Sequence, residues 1–163
     1  MSDSGLVMYE EEFKQIDAEL SKLHQLANAK VTFLVDKNGQ LIASVGETQN
    51  LDTTSLASLT AGNIAATAGM AKLLGEREFS ILFHVGERDN IHISLIGQRV
   101  ILVVVFDQRS SLGLVRLRVK KSSEAFVQIF SKLIDKAEKE KENKDSRSPF
   151  SEITEDDIER LFG

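Results

Sequence analysis

Cysteine is absent from the 163-residue sequence, and histidine occurs only three times. Without cysteine the chain cannot form disulfides, iron–sulfur clusters or zinc sites built on thiolates. The histidines, at positions 24, 84 and 92, are too scattered to indicate a metal site. We therefore expect a protein that holds no metal and no other cofactor.

Positive charge and long hydrophobic runs are also scarce. The formal net charge is −5 at pH 7, whereas proteins that bind nucleic acids usually carry an excess of basic residues. No apolar run reaches the roughly 20 residues of a transmembrane helix, and the first residues lack the basic start and apolar stretch of a signal peptide. These features predict a cytoplasmic protein that binds no nucleic acid and does not insert into a membrane.

The only proline, Pro149, ends a segment that contains almost no apolar side chains. Residues 138–149 balance acidic against basic side chains and cannot bury a face, so we interpret them as a flexible charged linker. Residues 1–137 then form one domain, which is long enough to fold around its own core. Residues 150–163 form a separate C-terminal segment.

Hydrophobic periodicity predicts the order of the structural elements. Helical spacing of apolar residues is found over residues 9–27 and 53–74. Strand patterns are found over residues 31–35, 41–45, 79–85, 91–95 and 100–106. Asn38-Gly39 separates the first two strands and is a strong hairpin signal.

Residues 110–134 fit two patterns. Val115, Leu117 and Val119 alternate with basic residues as in a strand, but an apolar stripe with helical spacing extends over more of the segment. We favour one long helix for that reason. The sequence then predicts an α+β fold of order αββαβββα, a five-stranded antiparallel meander with helices on its faces.

No pattern typical of catalysis is present. A nucleophile needs an activating base, and nothing in the sequence places a serine or an aspartate beside a histidine. Gly62, Gly69 and Gly75 are spread along a helix, whereas glycines that cradle a phosphate lie at the turn from a strand into a helix. We expect no catalytic residue, and therefore no enzyme.

A basic run, Arg116, Arg118, Lys120 and Lys121, has two interpretations. On a helix, Arg116 and Lys120 share a face and could meet an anionic partner. A solvated helix face is the more common explanation of such a run, and we favour it.

The helix predicted over residues 53–74 has no charged residue before Lys72. Its large apolar residues cluster on one side, which should face the sheet: Leu56, Leu59, Met70, Leu73 and Leu74. The opposite side carries small or uncharged residues and one lysine: Thr54, Ser58, Ala61, Ala65, Ala68, Gly69 and Lys72. This small-residue face either binds another protein or is buried in its own domain, and we favour the first.

The C-terminal segment has the signature of a short docking helix. Thr154 and Asp157 resemble a capping box, and Ile153 and Ile158 stand at the positions of a hydrophobic staple. About two turns of helix are unstable alone in water, so the segment either docks in a groove of a partner or packs on its own domain. We favour docking, through Phe150, Ile153, Ile158, Leu161 and Phe162.

Three stretches, in this order of elements, resemble bacterial members of the Roadblock / dynein light chain family. They are FLVDKNGQLIASVGETQNLDTTSLASLTAGNIAATAGMAKLLGEREF, LVVVFDQRSSLGLVRLRVKK and SPFSEITEDDIERLF. The resemblance covers nearly the whole chain apart from the linker. It implies the Roadblock-type fold and a homodimer that joins helix 53–74 and strand 79–85 of two protomers into one continuous sheet.

The resemblance also implies an activator of a small Ras-like GTPase that sets the polarity of gliding or twitching cells. In such proteins one GTPase binds over the paired second helices, and the C-terminal helix docks on it as well. The activator presses the switch loops into a competent arrangement, and the GTPase supplies its own arginine and glutamine. The protein would then be cytoplasmic and concentrated at a cell pole. The alternative is a Roadblock scaffold that docks a GTPase or motor complex without activating it.

Overall fold

The structure is a computed structural model that describes residues 3–146, and it describes side chains for residues 9–142. Its elements are α1 (Asp3–Leu26), β1 (Val31–Asp36), β2 (Leu41–Gly46), α2 (Thr53–Leu74), β3 (Ile81–Val85), β4 (Asn90–Ile96), β5 (Val100–Phe106) and α3 (Leu112–Ser146). The predicted order αββαβββα is confirmed, and residues 110–134 are helical apart from a short turn before Leu112. The predicted docking helix at 150–163 lies outside the described residues.

The five strands form one antiparallel sheet of order β2-β1-β5-β4-β3. The predicted α+β class is therefore correct, but the predicted meander is wrong. The chain passes through α2 from β2 at one edge of the sheet to β3 at the other edge, so that β1 pairs with β5. These two strands are the most completely buried of the five, because they lie inside the sheet and are covered on both faces.

Strand β5 is buried at all seven positions and divides the core into two layers. Ile101, Val103 and Val105 belong to a core that includes residues of α2. Leu102 and Val104 belong to a core that includes residues of α1 and α3. The fold is therefore a sheet with α2 on one face and with α1 and α3 on the other.

Capping residues fix both ends of α2. The Asp52 carboxylate accepts hydrogen bonds from the Ser55 hydroxyl at 2.6 Å and the Ser55 backbone N–H at 3.0 Å. These bonds lower the pKa of Asp52 because they stabilise its charged form. Gly75 ends the helix in the left-handed region, with φ of 76°, and its N–H donates to Ala71 and Lys72 carbonyls.

Helix α3 extends further than predicted. Residues 138–146 are helical, although the sequence predicted a flexible linker from residue 138. Lysine and glutamate are good helix formers, and α1 packs along this part of α3. The Tyr9 hydroxyl donates to the Glu140 carboxylate at 2.6 Å, and the Lys136 ammonium pairs with Glu12. These bonds to α1 hold the helix beyond its last apolar residues.

Gly46, at the end of β2, has φ of +112°, a conformation that residues with a side chain rarely adopt. A Cβ atom there would lie 2.4 Å from the Lys30 carbonyl oxygen and 2.5 Å from the His24 ring. Gly97 also has a positive φ, of +60°, but a Cβ atom would meet nothing within 4 Å.

We predict that Gly46→Ala lowers the free energy of unfolding by roughly 3 kcal/mol or more, because backbone strain adds to the clash. The matched variant Gly97→Ala should cost about 1–2 kcal/mol, since only the left-handed conformation is penalised. Urea denaturation of both variants measures the difference. Equal losses would contradict the close approach at Gly46.

Candidate functional site

The residues of α2 that face the sheet are mostly small. They are Ala57, Thr60, Ile64, Thr67 and Ala71, and all five are buried. Each buried threonine donates its hydroxyl to a carbonyl one turn earlier: Thr60 to Leu56 at 2.7 Å, and Thr67 to Asn63 at 2.8 Å. Because the hydroxyls are satisfied within the helix, threonine can be buried there, and the small side chains let α2 lie close to the sheet.

The large apolar residues of α2 are on the surface instead. Leu59 is 70% exposed, Leu73 is 89% exposed and Leu74 is 71% exposed; Met70 is also exposed, and Leu56 is half-buried. The prediction that this side of the helix faces the sheet is therefore wrong. With about 100° of rotation per residue, these side chains flank the buried stripe on one side and the small-residue face flanks it on the other.

The small-residue face is exposed over most of its length in the described chain. Thr54, Ser58, Ala65, Ala68, Gly69 and Lys72 are all exposed or only partly covered. Ala61 is half-buried, because the β1–β2 turn approaches α2 at this point. A Cβ atom on Gly39 of that turn would lie 3.2 Å from Ser58 Cα and 3.6 Å from Ala61 Cβ. Contact with the turn thus accounts for the small size of Ser58 and Ala61, but it does not reach Ala65, Ala68 or Gly69.

Gly69 and the neighbouring exposed Gly62 have no packing explanation in the described residues. A Cβ atom at either position would meet no atom within 4 Å. Glycine within a helix costs about 1 kcal/mol relative to alanine. The fold therefore gains nothing from these two glycines, whereas a partner that approaches the helix backbone closely would.

Strand β3 is an open edge of the sheet, since β4 is its only neighbour among the described strands. Ile81, Phe83 and Val85 are exposed, and Val85 reaches 74% exposure. Phe83 stacks on Phe106 with a centroid distance of 6.0 Å, which leaves one side of its ring open. An exposed apolar edge strand has unpaired N–H and C=O groups and readily pairs with another strand.

A groove of about 270 Å³ separates this edge from α2. Leu56 and Leu59 line it from the helix, and Ile91 and Ile93 line it from β4. Across the groove, the Asn63 amide donates to His84 Nε2 at 3.1 Å. The groove and the exposed leucines of α2 thus form one apolar surface on this face of the sheet, whereas Ile81, Phe83 and Val85 lie on the opposite face, as Phe106 does.

Arg109 lies apart from these surfaces and is held by two carboxylates. Its guanidinium contacts Asp107 at 2.9 Å and Glu47 at 3.1 Å. Hydrogen bonds from Arg109 lower the pKa of Asp107 to about 2. Arg109 is thereby fixed in a charge cluster. In the described part of the chain, no group of three or more His, Asp or Glu side chains is placed to hold a metal ion.

The remaining predicted site residues, Phe150, Ile153, Ile158, Leu161 and Phe162, lie outside the described residues. Within residues 3–146, no helix is long and apolar enough to cross a lipid bilayer.

The surface that the sequence prediction missed is the row of exposed leucines on α2. The threonines at 60 and 67 were the available signal, since their helical spacing with Ala57, Ile64 and Ala71 marks the buried stripe.

The family profile of the Roadblock/LC7 domain matches residues 2–106. Among solved structures, Myxococcus xanthus MglB is similar, with 61% identity, a TM-score of 0.73, and coverage of 76% of this chain and 92% of that chain. The gliding protein MglB from Thermus thermophilus shares 34% identity, with a TM-score of 0.68 and coverage of 72% of this chain and 90% of that chain.

A third structure, of MglB with a tetrameric arrangement, shares 33% identity, with a TM-score of 0.66 and coverage of 74% of this chain and 88% of that chain. A Roadblock/LC7 domain from Streptomyces avermitilis, at 14% identity and a TM-score of 0.61, shares the fold. No relative among curated protein sequences matches the chain.

Proposed function

This chain belongs to the Roadblock/LC7 domain family, and we propose that it is a homodimeric activator of a small Ras-like GTPase of the MglA type. It stimulates GTP hydrolysis by repositioning the switch loops of the GTPase and inserts no catalytic residue of its own. The small-residue face of α2 binds the GTPase through Thr54, Ser58, Ala61, Ala65, Ala68, Gly69 and Lys72. The likeness to MglB from two bacteria supports this assignment.

The observation that carries the proposal is the exposed small-residue face, which includes Gly69, with Gly62 beside it. A face on which Lys72 is the one charged residue loses little hydration when a partner covers it, whereas buried charges must be paired to offset their desolvation. Alanine and glycine also let the backbone of a partner come close. A switch loop could therefore be held by short contacts over the length of α2.

The apolar surface beside this face supports dimerisation. We propose that β3 pairs with β3 of a second copy, so that two five-stranded sheets become one. Leu59, Met70 and Leu74 of each protomer then meet across the dimer axis. The two α2 helices lie side by side, and their small-residue faces form a platform for one GTPase. Dimerisation through α2 and β3 thus covers apolar side chains that a monomer would leave in water.

Activation without an inserted residue requires differential binding. The dimer must bind the catalytically ready arrangement of the switch loops more tightly than the resting one. A hundredfold stimulation needs a difference of about 2.7 kcal/mol in favour of the transition state. Close contacts along the small-residue face provide this difference, because a displaced switch loop would lose them.

The C-terminal segment adds a second docking element in this proposal. Phe150, Ile153, Ile158, Leu161 and Phe162 form the apolar stripe of a short helix that docks on the GTPase away from the nucleotide. Because it is tethered to the dimer, its docking is intramolecular and raises the overall affinity without altering the main contact. No enzyme activity and no cofactor of this chain is required.

We predict that Leu59→Glu converts the dimer into monomers, because it places an unpaired charge in the apolar surface between α2 and β3. The dissociation constant of the dimer should rise at least about a hundredfold. The control is Val127→Glu, which adds the same charge at an exposed apolar residue of α3. Analytical ultracentrifugation should find the control dimeric, and a dimeric Leu59→Glu protein would refute the interface.

We predict that the protein accelerates single-turnover GTP hydrolysis by an MglA-like GTPase at least about tenfold, which corresponds to about 1.4 kcal/mol of the barrier. Ala65→Arg should abolish both binding and acceleration, since it places a long charged side chain in the close contact. Ala137→Arg makes the same change at an exposed alanine of α3 and should be without effect. Binding without acceleration by the unmodified protein would instead indicate a scaffold.

We predict that none of the six arginines within residues 1–137 acts as a catalytic finger, an interaction that contributes about 10³–10⁵ in rate. Alanine variants are made at Arg77, Arg88, Arg99, Arg109, Arg116 and Arg118. Arg77 is the most informative, since it lies just beyond the C-cap of α2. At saturating protein each variant should lose less than about tenfold in single-turnover rate. A thousandfold loss in a variant that still binds would overturn the mechanism.

A further inference from the structure

A second cavity lies on the face of the sheet opposite α2. It has a volume of about 520 Å³ and opens between the first turns of α3 and strands β3 and β4. Apolar side chains, among them Ile81 and Leu117, form much of its wall. This size suits a small organic molecule, and the cavity is separated from the small-residue face by the thickness of the sheet.

Two polar side chains on β4 line this cavity without hydrogen-bond partners. His92 is 1% exposed, and neither of its ring nitrogens has a partner among the described residues. The hydroxyl of Ser94, which is 4% exposed, is also unpartnered in this part of the chain. Buried polar groups are nearly always hydrogen-bonded in folded proteins. Two such groups at successive positions on the same face of one strand therefore indicate a ligand that supplies the missing bonds.

Two basic side chains of α3 lie at the same cavity. Arg116 and Lys120 are one helical turn apart and both line it. Neither forms an ion pair with a carboxylate among the described residues. Glu124 is the single acidic side chain of the lining, so the formal charge of the lining is +1 with a neutral imidazole. The sequence allowed two interpretations of the basic run. Two of its four residues thus line a cavity.

We propose that this cavity binds a small organic anion with an apolar body. The charged group lies between the His92 imidazole and the Arg116 guanidinium and accepts hydrogen bonds from both. Ser94 donates a further bond, and Lys120 contributes its charge at the entrance. The apolar body packs against Ile81 and Leu117.

Protonation of His92 provides a signature of such binding. Burial lowers the pKa of His92, and the nearby Arg116 cation lowers it further. The charged groups that line the cavity, Arg116, Lys120 and Glu124, all come from α3, and the strands contribute no charged side chain. A bound anion offsets the Arg116 charge, raises the pKa of His92 and favours the imidazolium, which donates from both nitrogens. Affinity for an anion whose own charge stays constant over this range should therefore increase as pH falls.

The test uses the full-length protein without any GTPase, so it is independent of the proposed function. Phenyl phosphate serves as the probe, inorganic phosphate as the charged group alone, and benzyl alcohol as the apolar body alone. Imidazole nitrogen signals are followed by NMR, with His24 and His84 as internal references outside the cavity. We expect phenyl phosphate to shift the His92 signals and raise its pKa, and to bind at least about tenfold more tightly than phosphate. Benzyl alcohol should leave His92 unchanged.

Matched variants on α3 locate the site. Arg116→Gln should weaken phenyl phosphate about tenfold, the usual size of a hydrogen bond to a charged group. Lys121→Gln removes an equal charge one position beyond Lys120, outside the cavity lining, and should change affinity less than about twofold. Both residues are exposed, so neither variant should disturb folding. The proposal is overturned if phenyl phosphate leaves His92 unshifted, if it binds no better than phosphate, or if Arg116→Gln binds it as tightly as the unmodified protein.

Discussion

The complete burial of β5 is the constraint on which the rest of the molecule depends. A strand that is apolar at seven successive positions must be covered on both faces, so helices are needed on each side of the sheet. Helix α2 covers one face, and α1 and α3 cover the other. The two cores include side chains of β1, β4 and β5. Strand β2 is covered through its contacts with α1. Strand β3 is the least covered of the five, and Ile81, Phe83 and Val85 remain exposed there.

The packing of α2 over β5 also determines which side chains of α2 are exposed to solvent. The helix lies close to the sheet because its buried stripe is made of alanine, threonine and one isoleucine. Its leucines then lie to one side, above the open edge, and its alanines and glycines lie to the other. A monomer thus has an apolar surface and a small-residue face on the same helix. Pairing of β3 edges would cover the first and leave the second exposed, which is the division of roles proposed above.

The sequence predicts the helices and strands of this fold, but it does not predict which of their faces are buried. Asp52 and Gly75 mark the ends of α2 because caps are local interactions that a few neighbouring residues determine. Which side of α2 is buried depends on the shape of the sheet below it, and hydrophobicity alone favoured Leu59 and Leu73 over Thr60 and Thr67. The strand predicted over residues 79–85 begins at Ile81 instead of Phe79, because its ladder with β4 starts there. The end of α3 depends on the helix propensity of its lysines and glutamates and on contacts with Tyr9 and Glu12 of α1, and local sequence does not reveal those contacts.

The small-residue face itself was recognisable from sequence, because a helix with no charged residue before Lys72, in its last turn, departs from the usual composition. The cavity on the opposite face was not, since it depends on β4 and α3 meeting in space. The two surfaces are nevertheless joined through β3. His92 lies opposite Phe83 in the register of β3 and β4, and Ser94 lies opposite Ile81. An anion that binds the proposed dimer and the monomer with different affinities changes the dimerisation constant, at saturation, by the square of the ratio of those affinities, because linkage is reciprocal and the dimer holds two such cavities. The pairing of β3, the strand that both surfaces share, is thus the structural link between a ligand in the cavity and the proposed GTPase platform.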